Sequence, residues 1–569
     1  MKKTYCNPVN LDYRFQQDGR GALEACREGS DPAVIRFRGK YYLLPSKTEG
    51  IFVSEDLVEW RFLPCRFFNA EGYGPDLWES RGRLCLTAGA VPTPAFASSD
   101  PESGHWEEFG REWNVPDPDY FEDEDGRLYL YGGCSASEPL TVREVDPDSL
   151  DALGPEVKIG GLDLKNCGWH RPGANNSADP AEMPDVTRVR RACLPDMPEE
   201  SWQEGAWMTK HNGRYYLQTS QPCTEFNTYS DDIWSGPTPL GPFEPQADNP
   251  FSFKPGGFIT GAGHSSTFRD GYGNFLHAST MGVVARHVYE RRVGIFPAGF
   301  LPDGTMYCRQ RFGDYPHYVP DRPLSYADDT FTGWMLLNYR AAVKATSEHP
   351  RHPAAFACDE NIRSCWVADP ADPAPALTVD LGKSSTVTAV QINFAEFDCR
   401  RFGMTGDMRV SRYVLETRDS GTETWETVWD ASGNEEDKTH PYCQLPVPLA
   451  RRYWRIRILQ AAAGGVAAIS GFRIFGDDAS GAPERIDRWE VERDAADPCV
   501  ARLRWRNPAN SHGVNIRWGL APDRLHHCWQ CRETETWTLR CLDARRSYCV
   551  ALEAFGPGGA APLSRIIRI

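Results

Sequence analysis

Four polar residues recur at one register along the first part of the chain, and their chemistry is that of acids and bases. Asp31 precedes Gly39 by eight residues, while Asp117, Glu204 and His264 precede Gly126, Gly213 and Gly273 by nine. Asp76, six before Gly82, fits more loosely and joins the set as a substrate-binding candidate. A pair of carboxyls with distinct roles can break a glycosidic bond, one protonating the leaving oxygen and the other activating water. A third carboxylate can hold the acid's pKa high by like-charge repulsion. Taken singly, Asp31 and Asp117 also fit as turn caps before Pro32 and Pro118. In register they form a set. Clustered carboxylates repel and must shed water, so a core gains nothing by gathering them without a use.

What must position these residues is a repeat. The glycines open strand signatures that read Gly39-Lys40-Tyr41-Tyr42-Leu43, Gly82-Arg83-Leu84-Cys85-Leu86, Gly126-Arg127-Leu128-Tyr129-Leu130, Gly213-Arg214-Tyr215-Tyr216-Leu217 and Gly273-Asn274-Phe275-Leu276-His277. A β-type repeat with turn glycines at this period indicates a propeller, and five copies predict five blades. The innermost strand of each blade lines the axis, so equivalent positions meet at one mouth. The interval from 126 to 213 is about twice the others. Its excess, 160–200, is rich in Gly, Pro, Asn and Asp and has no clean period. Long insertions of this kind usually serve as lids or rims, so this one is expected to overhang Glu204.

At 569 residues the chain exceeds one core, and three domains are expected. It is 25% charged and 12% aromatic with 50 Gly and 44 Pro, a composition of strands and turns. The all-β reading has a propeller over 1–325, a sandwich over 335–477 and a second sandwich over 483–569. A net charge of −17 with no Lys/Arg stripe argues against a nucleic-acid partner. Met1-Lys2-Lys3 is followed by no apolar run, and no 18-residue apolar stretch occurs, which predicts a cytoplasmic protein without a membrane partner. The 18 cysteines are then expected to be reduced. Cys528-Trp529-Gln530-Cys531 has no second pair at zinc spacing.

The ordered set Ser30-Asp31-Pro32, Asp117-Pro118-Asp119-Tyr120-Phe121, Glu204-Gly205 and Gly261-Ala262-Gly263-His264-Ser265 resembles glycoside hydrolase family 43 across the first 315 residues or so. The resemblance implies Asp31 as general base, Asp117 as pKa modulator and Glu204 as general acid. It implies inversion, for which the base and acid carboxyls stand roughly 6.5–9.5 Å apart. It requires no cofactor, but matches His264 to a central histidine that leaves room for a Ca²⁺ ion on the axis. Arg291 falls where the family often places a substrate-binding arginine, with Arg292 as its competitor. Ala206-Trp207 stands where many members have Pro-His, which bears on the sugar bound beside the acid. Trp207, Trp169, Trp78 and Phe226 are candidates for stacking on a sugar ring.

Further on, Asp359-Glu360-Asn361-Ile362-Arg363-Ser364-Cys365-Trp366 with Val379-Asp380-Leu381-Gly382 resembles discoidin-like (coagulation-factor type C) modules, often carbohydrate-binding. Trp505 and Tyr548 make the last segment resemble a fibronectin type III domain. The expected activity is hydrolysis of pentose-containing oligosaccharides, as by an α-L-arabinofuranosidase or β-xylosidase. The alternatives are a catalytically silent carbohydrate binder and a hydrolase of another sugar such as galactofuranose.

Overall fold

The computed structural model describes residues 2–17, 25–65, 72–89 and 92–569. Among these, five antiparallel sheets follow one another, built on the innermost strands Ala33–Phe37, Asp76–Ser80, Asp119–Glu122, Glu204–His211 and Thr260–Arg269. The repeated glycine of the sequence is the turn between the first and second strand of each blade. Arg38-Gly39, Arg81-Gly82 and Asn212-Gly213 all have positive φ at both positions. That is the mirror-image turn whose twist matches the flanking strands. A Gly-basic-aromatic signature therefore marks a hairpin, and the five blades follow from it.

The ring is held by side chains that cap backbone groups of the next blade. The Tyr120 N–H donates to Asp76 Oδ2 at 2.7 Å and the Met208 N–H to Asp119 Oδ2 at 2.9 Å. The Val34 N–H donates to Ser266 Oγ at 3.0 Å, which closes the first blade on the last. The N-terminal strand Thr4–Tyr5 also pairs with His317–Tyr318, so the two ends of the propeller are joined. A buried polar backbone group left unpaired is costly, and each of these bonds removes one such cost at a seam.

The segment 160–200 is ordered. It carries short turns at Gly168–His170 and Ala174–Asn176, then the helix Pro184–Cys193. Among the described residues no helix is long and apolar enough to cross a membrane.

The second domain is an antiparallel sandwich whose two longest strands, Ala376–Phe394 and Tyr442–Gln460, bend through register shifts. The sequence suggests two strands on either side of Gly382. The structure has one strand, irregular between Asp380 and Ser385. Trp366 and Trp454 fill its core. The last domain pairs Trp489–Arg493, Ala501–Trp505 and Thr536–Leu539 in one sheet and places Gly513–Gly519 and Cys549–Gly556 in the other. Trp505 and Tyr548 are buried in it, and the Tyr548 hydroxyl accepts from the Asp543 N–H at 3.1 Å.

Buried charges tie the domains together. Arg27 of the propeller grips Asp437 through two bonds of 3.0 and 2.8 Å. Arg473 of the second domain grips Glu360 at 2.7 and 3.1 Å, and also donates to the Asp314 carbonyl of the propeller at 2.6 Å. Asp248 of the propeller meets His526 and His527 of the last domain at 3.3 and 3.2 Å.

Breaking a buried pair by removing one partner costs about 3–5 kcal/mol, because the other charge is left uncompensated. Arg473→Met is expected to lower the unfolding midpoint by calorimetry for this reason. Arg532, 3.7 Å from Glu360, already pairs with it and would offset part of the loss, which places the effect at the low end of that range. An unchanged midpoint would show that Arg473, through Glu360 within its own domain and the Asp314 carbonyl across the seam, does not stabilise the fold.

Candidate active site

Two residues before the innermost strands of the first three blades stand Asp31, Gly74 and Asp117. All three have positive φ, 48°, 55° and 48°, and so does His264 at 40°. Strain of this kind costs of order 1–3 kcal/mol per residue and persists where the surroundings fix it. Asp and His tolerate this region better than most residue types. At Gly74 a Cβ would lie 2.2 Å from Asp117 Oδ1, so only glycine leaves room for that carboxylate. The positional equivalent of the two aspartates in the second blade is therefore Gly74. Asp76 comes two residues after it, at the start of the strand, as the seam tether described above, where burial pushes its carboxyl up to about 7.

Asp31, Asp117, Glu204, His264 and Arg291 line one cavity of about 320 Å³. His264 Nδ1 lies 3.5 Å from Asp31 Oδ1 and 3.9 Å from Asp117 Oδ2. Glu204, Asp117 and Cys134 offer ligating atoms within 4.8 Å of one another.

The environments of the carboxyls differ. Burial opposes the charge of Asp31, but Arg291, His264 and the hydroxyls of Ser46 and Ser30 outweigh it and hold its pKa below the ordinary value. Ser46 Oγ donates at 2.6 Å and Arg291 Nη1 at 3.3 Å. Asp117 has burial together with the charges of Glu204 and Asp31, and His264 offsets them only in part. Its carboxyl rises to about 7. Burial opposes the charge of His264 as well, yet the three carboxylates raise its pKa above the usual value. Glu204 accepts from the Tyr229 hydroxyl on Oε1 and from Cys134 Sγ at 3.0 Å on Oε2.

Strand alternation separates the two neighbouring arginines. Arg291 points to the cavity, donating to Glu28 at 2.6 Å and to Thr224 at 3.0 Å, with its guanidinium against the Tyr73 and Tyr289 rings. Arg292 points to the second domain, where it donates to His440 at 2.9 Å.

The insertion forms a wall. Arg190, Leu194, Met197, Pro198, Glu200 and, just beyond it, Trp202 line the cavity. Arg190 donates to Glu225 at 2.9 Å and to the Pro198 carbonyl at 2.9 Å, which fixes the loop after the helix.

The aromatic candidates lie elsewhere. Trp78 stacks on Tyr120 at 4.4 Å in the packing between the second and third blades. Trp207 donates to the Thr267 carbonyl at 3.0 Å and packs between blades. Trp169 is buried in the core of the last domain and donates to Asp232 at 2.7 Å. Phe226 is buried behind the helix, against a separate small pocket. In each case burial of a large apolar surface wins over exposure to a ligand. The aromatics at the cavity are Tyr73, Trp202 and Tyr289, none of which carries a repeat signal in the sequence.

The donors around His264 include the carboxylates of Asp31 and Asp117 at 3.5 and 3.9 Å, fewer oxygens than the six to eight that Ca²⁺ takes. They offer a histidine nitrogen whose proton the flanking aspartates favour, and a thiol beside Glu204, which is a soft ligand.

Comparison with known proteins adds family to geometry. Residues 27–306 match the model for glycosyl hydrolases family 43, and residues 342–472 match the F5/8 type C domain. Among solved structures, an endo-1,4-beta-xylanase from Bacteroides thetaiotaomicron is 19% identical, covering 54% of this chain and 96% of that one, with a TM-score of 0.40. A xylan beta-1,4-xylosidase from Bacillus halodurans is 14% identical over 83% of this chain and 100% of that one, TM-score 0.38. An alpha-L-arabinanase from Cellvibrio cellulosa, complexed with arabinohexaose, is 15% identical over 52% and 100%, TM-score 0.38. No curated protein matches the chain. Residues 27–306 form a family 43 glycosyl hydrolase domain, a discoidin-like domain follows it, and the chain is a glycoside hydrolase.

Proposed function

We propose an inverting, exo-acting hydrolase of neutral, pentose-containing oligosaccharides, of the α-L-arabinofuranosidase or β-xylosidase type. Glu204 is the general acid, Asp31 the general base, and Asp117 the third carboxyl that orients the acid. The observation that carries this reading is the asymmetry of the carboxyls in one cavity. Asp31 is held ionised by Arg291 and His264, as a base must be, while Asp117 is pushed towards protonation. In this mechanism Asp31 takes a proton from the attacking water as its oxygen bonds to the anomeric carbon. Glu204 gives a proton to the leaving oxygen as the glycosidic bond breaks.

The size and charge of the cavity support the substrate class. Its volume is at the small end of ligand pockets, roughly 300–1,000 Å³, which suits the end of a short chain. Both arginines that line it are already bound, Arg190 to Glu225 and Arg291 to Glu28 and Asp31. An anionic sugar would have to displace these partners; a neutral one would not. With Trp207 turned into the blade packing, the aromatic face for a sugar ring is left to Trp202, Tyr73 and Tyr289.

The two roles separate by leaving group. Asp31→Asn is expected to lower kcat by about 10²–10⁴-fold on p-nitrophenyl glycosides and oligosaccharides alike, since water needs its base in both. Glu204→Gln is expected to lower it steeply on arabino- or xylo-oligosaccharides and far less on p-nitrophenyl α-L-arabinofuranoside or β-xyloside, whose leaving group departs without a proton. Equal small losses on both substrates would sink the assignment. Proton NMR of the first product should show the inverted anomer, and a retained one would overturn the mechanism.

A pH profile tests the base separately. Arg291 is the largest influence that opposes burial at Asp31. Arg291→Met should therefore raise that carboxyl's pKa and move the acidic limb of kcat/KM to higher pH. A limb that stays in place would assign it to another group.

A further inference from the structure

We infer that Cys134 is a positioning residue for Glu204, its thiol setting how readily that carboxyl gives up its proton. The inference rests on the reading of Glu204 as general acid.

Cys134 follows Gly132-Gly133 at the end of the strand Leu128–Gly132. A Cβ on Gly132 would lie 2.4 Å from Val115 and 3.1 Å from the Asp117 carbonyl, so the backbone can run this close to Asp117 only with glycine there. That close approach brings Cys134 to the cavity, with Sγ 3.0 Å from Glu204 Oε2. The other oxygen of Glu204 receives the Tyr229 hydroxyl. Tyr229 is itself fixed, because its ring lies where any side chain on Gly263 would go, 2.7 Å from the Cβ position. Burial and the charge of Glu204 raise the pKa of both Cys134 and Tyr229, so both keep their protons.

Each oxygen of Glu204 thus faces a protonated group, but the two groups differ in strength. A phenol is a firm donor, whereas a thiol is a weak donor and a weak acceptor. With Oε1 occupied by Tyr229, Oε2 is the oxygen left to carry the acid's proton. A thiol beside it can accept from that proton or donate to the bare oxygen at small loss either way. When the glycosidic C–O bond breaks, its electron pair goes to the leaving oxygen and the Glu204 proton follows. The thiol retains its own proton and donates to the new carboxylate.

The other groups that act on Glu204 are Asp117 and His264 on the axis, Cys223 and Glu225 from the fourth blade, and Tyr289 from the fifth. Of these, Asp117 and Cys223 also act on Cys134, so no single substitution at position 134 is read alone. A difference between two substitutions there isolates the thiol.

The experiment is the pH dependence of kcat/KM on xylobiose and arabinobiose for wild type, Cys134→Ala and Cys134→Ser. Removing the donor should move the alkaline limb up by about 0.5–1 pH unit, the size one weak hydrogen bond to a carboxylate confers. The stronger serine donor should move it down. On p-nitrophenyl glycosides, whose leaving group needs no proton, the alkaline limb should not differ among the three proteins. Were Cys134→Ala to fold poorly, the downward shift of Cys134→Ser relative to wild type would decide. Limbs that coincide in all three proteins would overturn the inference. If Glu204→Gln abolishes disaccharide cleavage while the limbs coincide, only the role of Cys134 falls. If Glu204→Gln retains cleavage, the assignment of the acid falls with it.

Discussion

Three carboxyls share one desolvated cavity with a buried arginine and a histidine whose pKa they raise. Arg291 and His264 favour the charge of Asp31, and each is placed by a different device. Arg291 is anchored by Glu28, which is buried and lies on a short strand just before Asp31. His264 is set by its left-handed backbone and by a bond from its N–H to Ser220 at 2.7 Å. The strand pairing places Ser220 opposite Glu204. Glu204 and His264 are therefore positioned by the same serine's strand. The propeller matters to chemistry in this sense: only a closed ring brings residues 28, 117, 204, 264 and 291 to one point. Its seams are sealed by the carboxylates of Asp76 and Asp119, one step along the same strands.

Much of this was legible in the sequence, and the reason is periodicity. The hairpin glycines announce the blades, and an offset of eight or nine from them picks out Asp31, Asp117, Glu204 and His264. Counting back along the innermost strand reaches its axial end, before the strand at Asp31 and Asp117, at its start at Glu204 and within it at His264. The same argument erred at Asp76. It sought a polar residue in every blade, whereas the second blade must leave that position empty of side chain to admit the Asp117 carboxylate. The choice between Arg291 and Arg292 needed the phase of a strand, which one residue of register decides. The aromatics were illegible for a different cause. A tryptophan's type says that it seeks burial or a flat partner, and a fold of stacked blades offers far more burial than sugar. Trp78, Trp169, Trp207 and Phe226 took the burial. Tyr73, Trp202 and Tyr289 come from connections, whose side-chain directions no repeat determines.

The wall of the cavity depends on chain far from the propeller. The segment 160–200 has one helix and little pairing of its own, so its shape must be imposed from outside. The last domain does so. The Gly168 N–H donates to the Leu542 carbonyl at 3.0 Å and the Ala544 N–H to the Asn166 carbonyl at 2.8 Å. Trp169 enters that domain's core, and Glu182 pairs with Arg540 at 2.9 Å. On its other side the segment is tied back to the fourth blade. Asp232 holds both the Trp169 indole and the His170 ring at 2.7 and 2.8 Å. A segment clamped between a blade and a separate sandwich keeps Arg190, Glu200 and Trp202 in fixed relation to Glu204. The last domain thus shapes the cavity without lining it. Whatever sugar the wall selects, its selectivity is a property of the assembled chain, since the propeller alone would leave the segment's bonds to the last domain unmade.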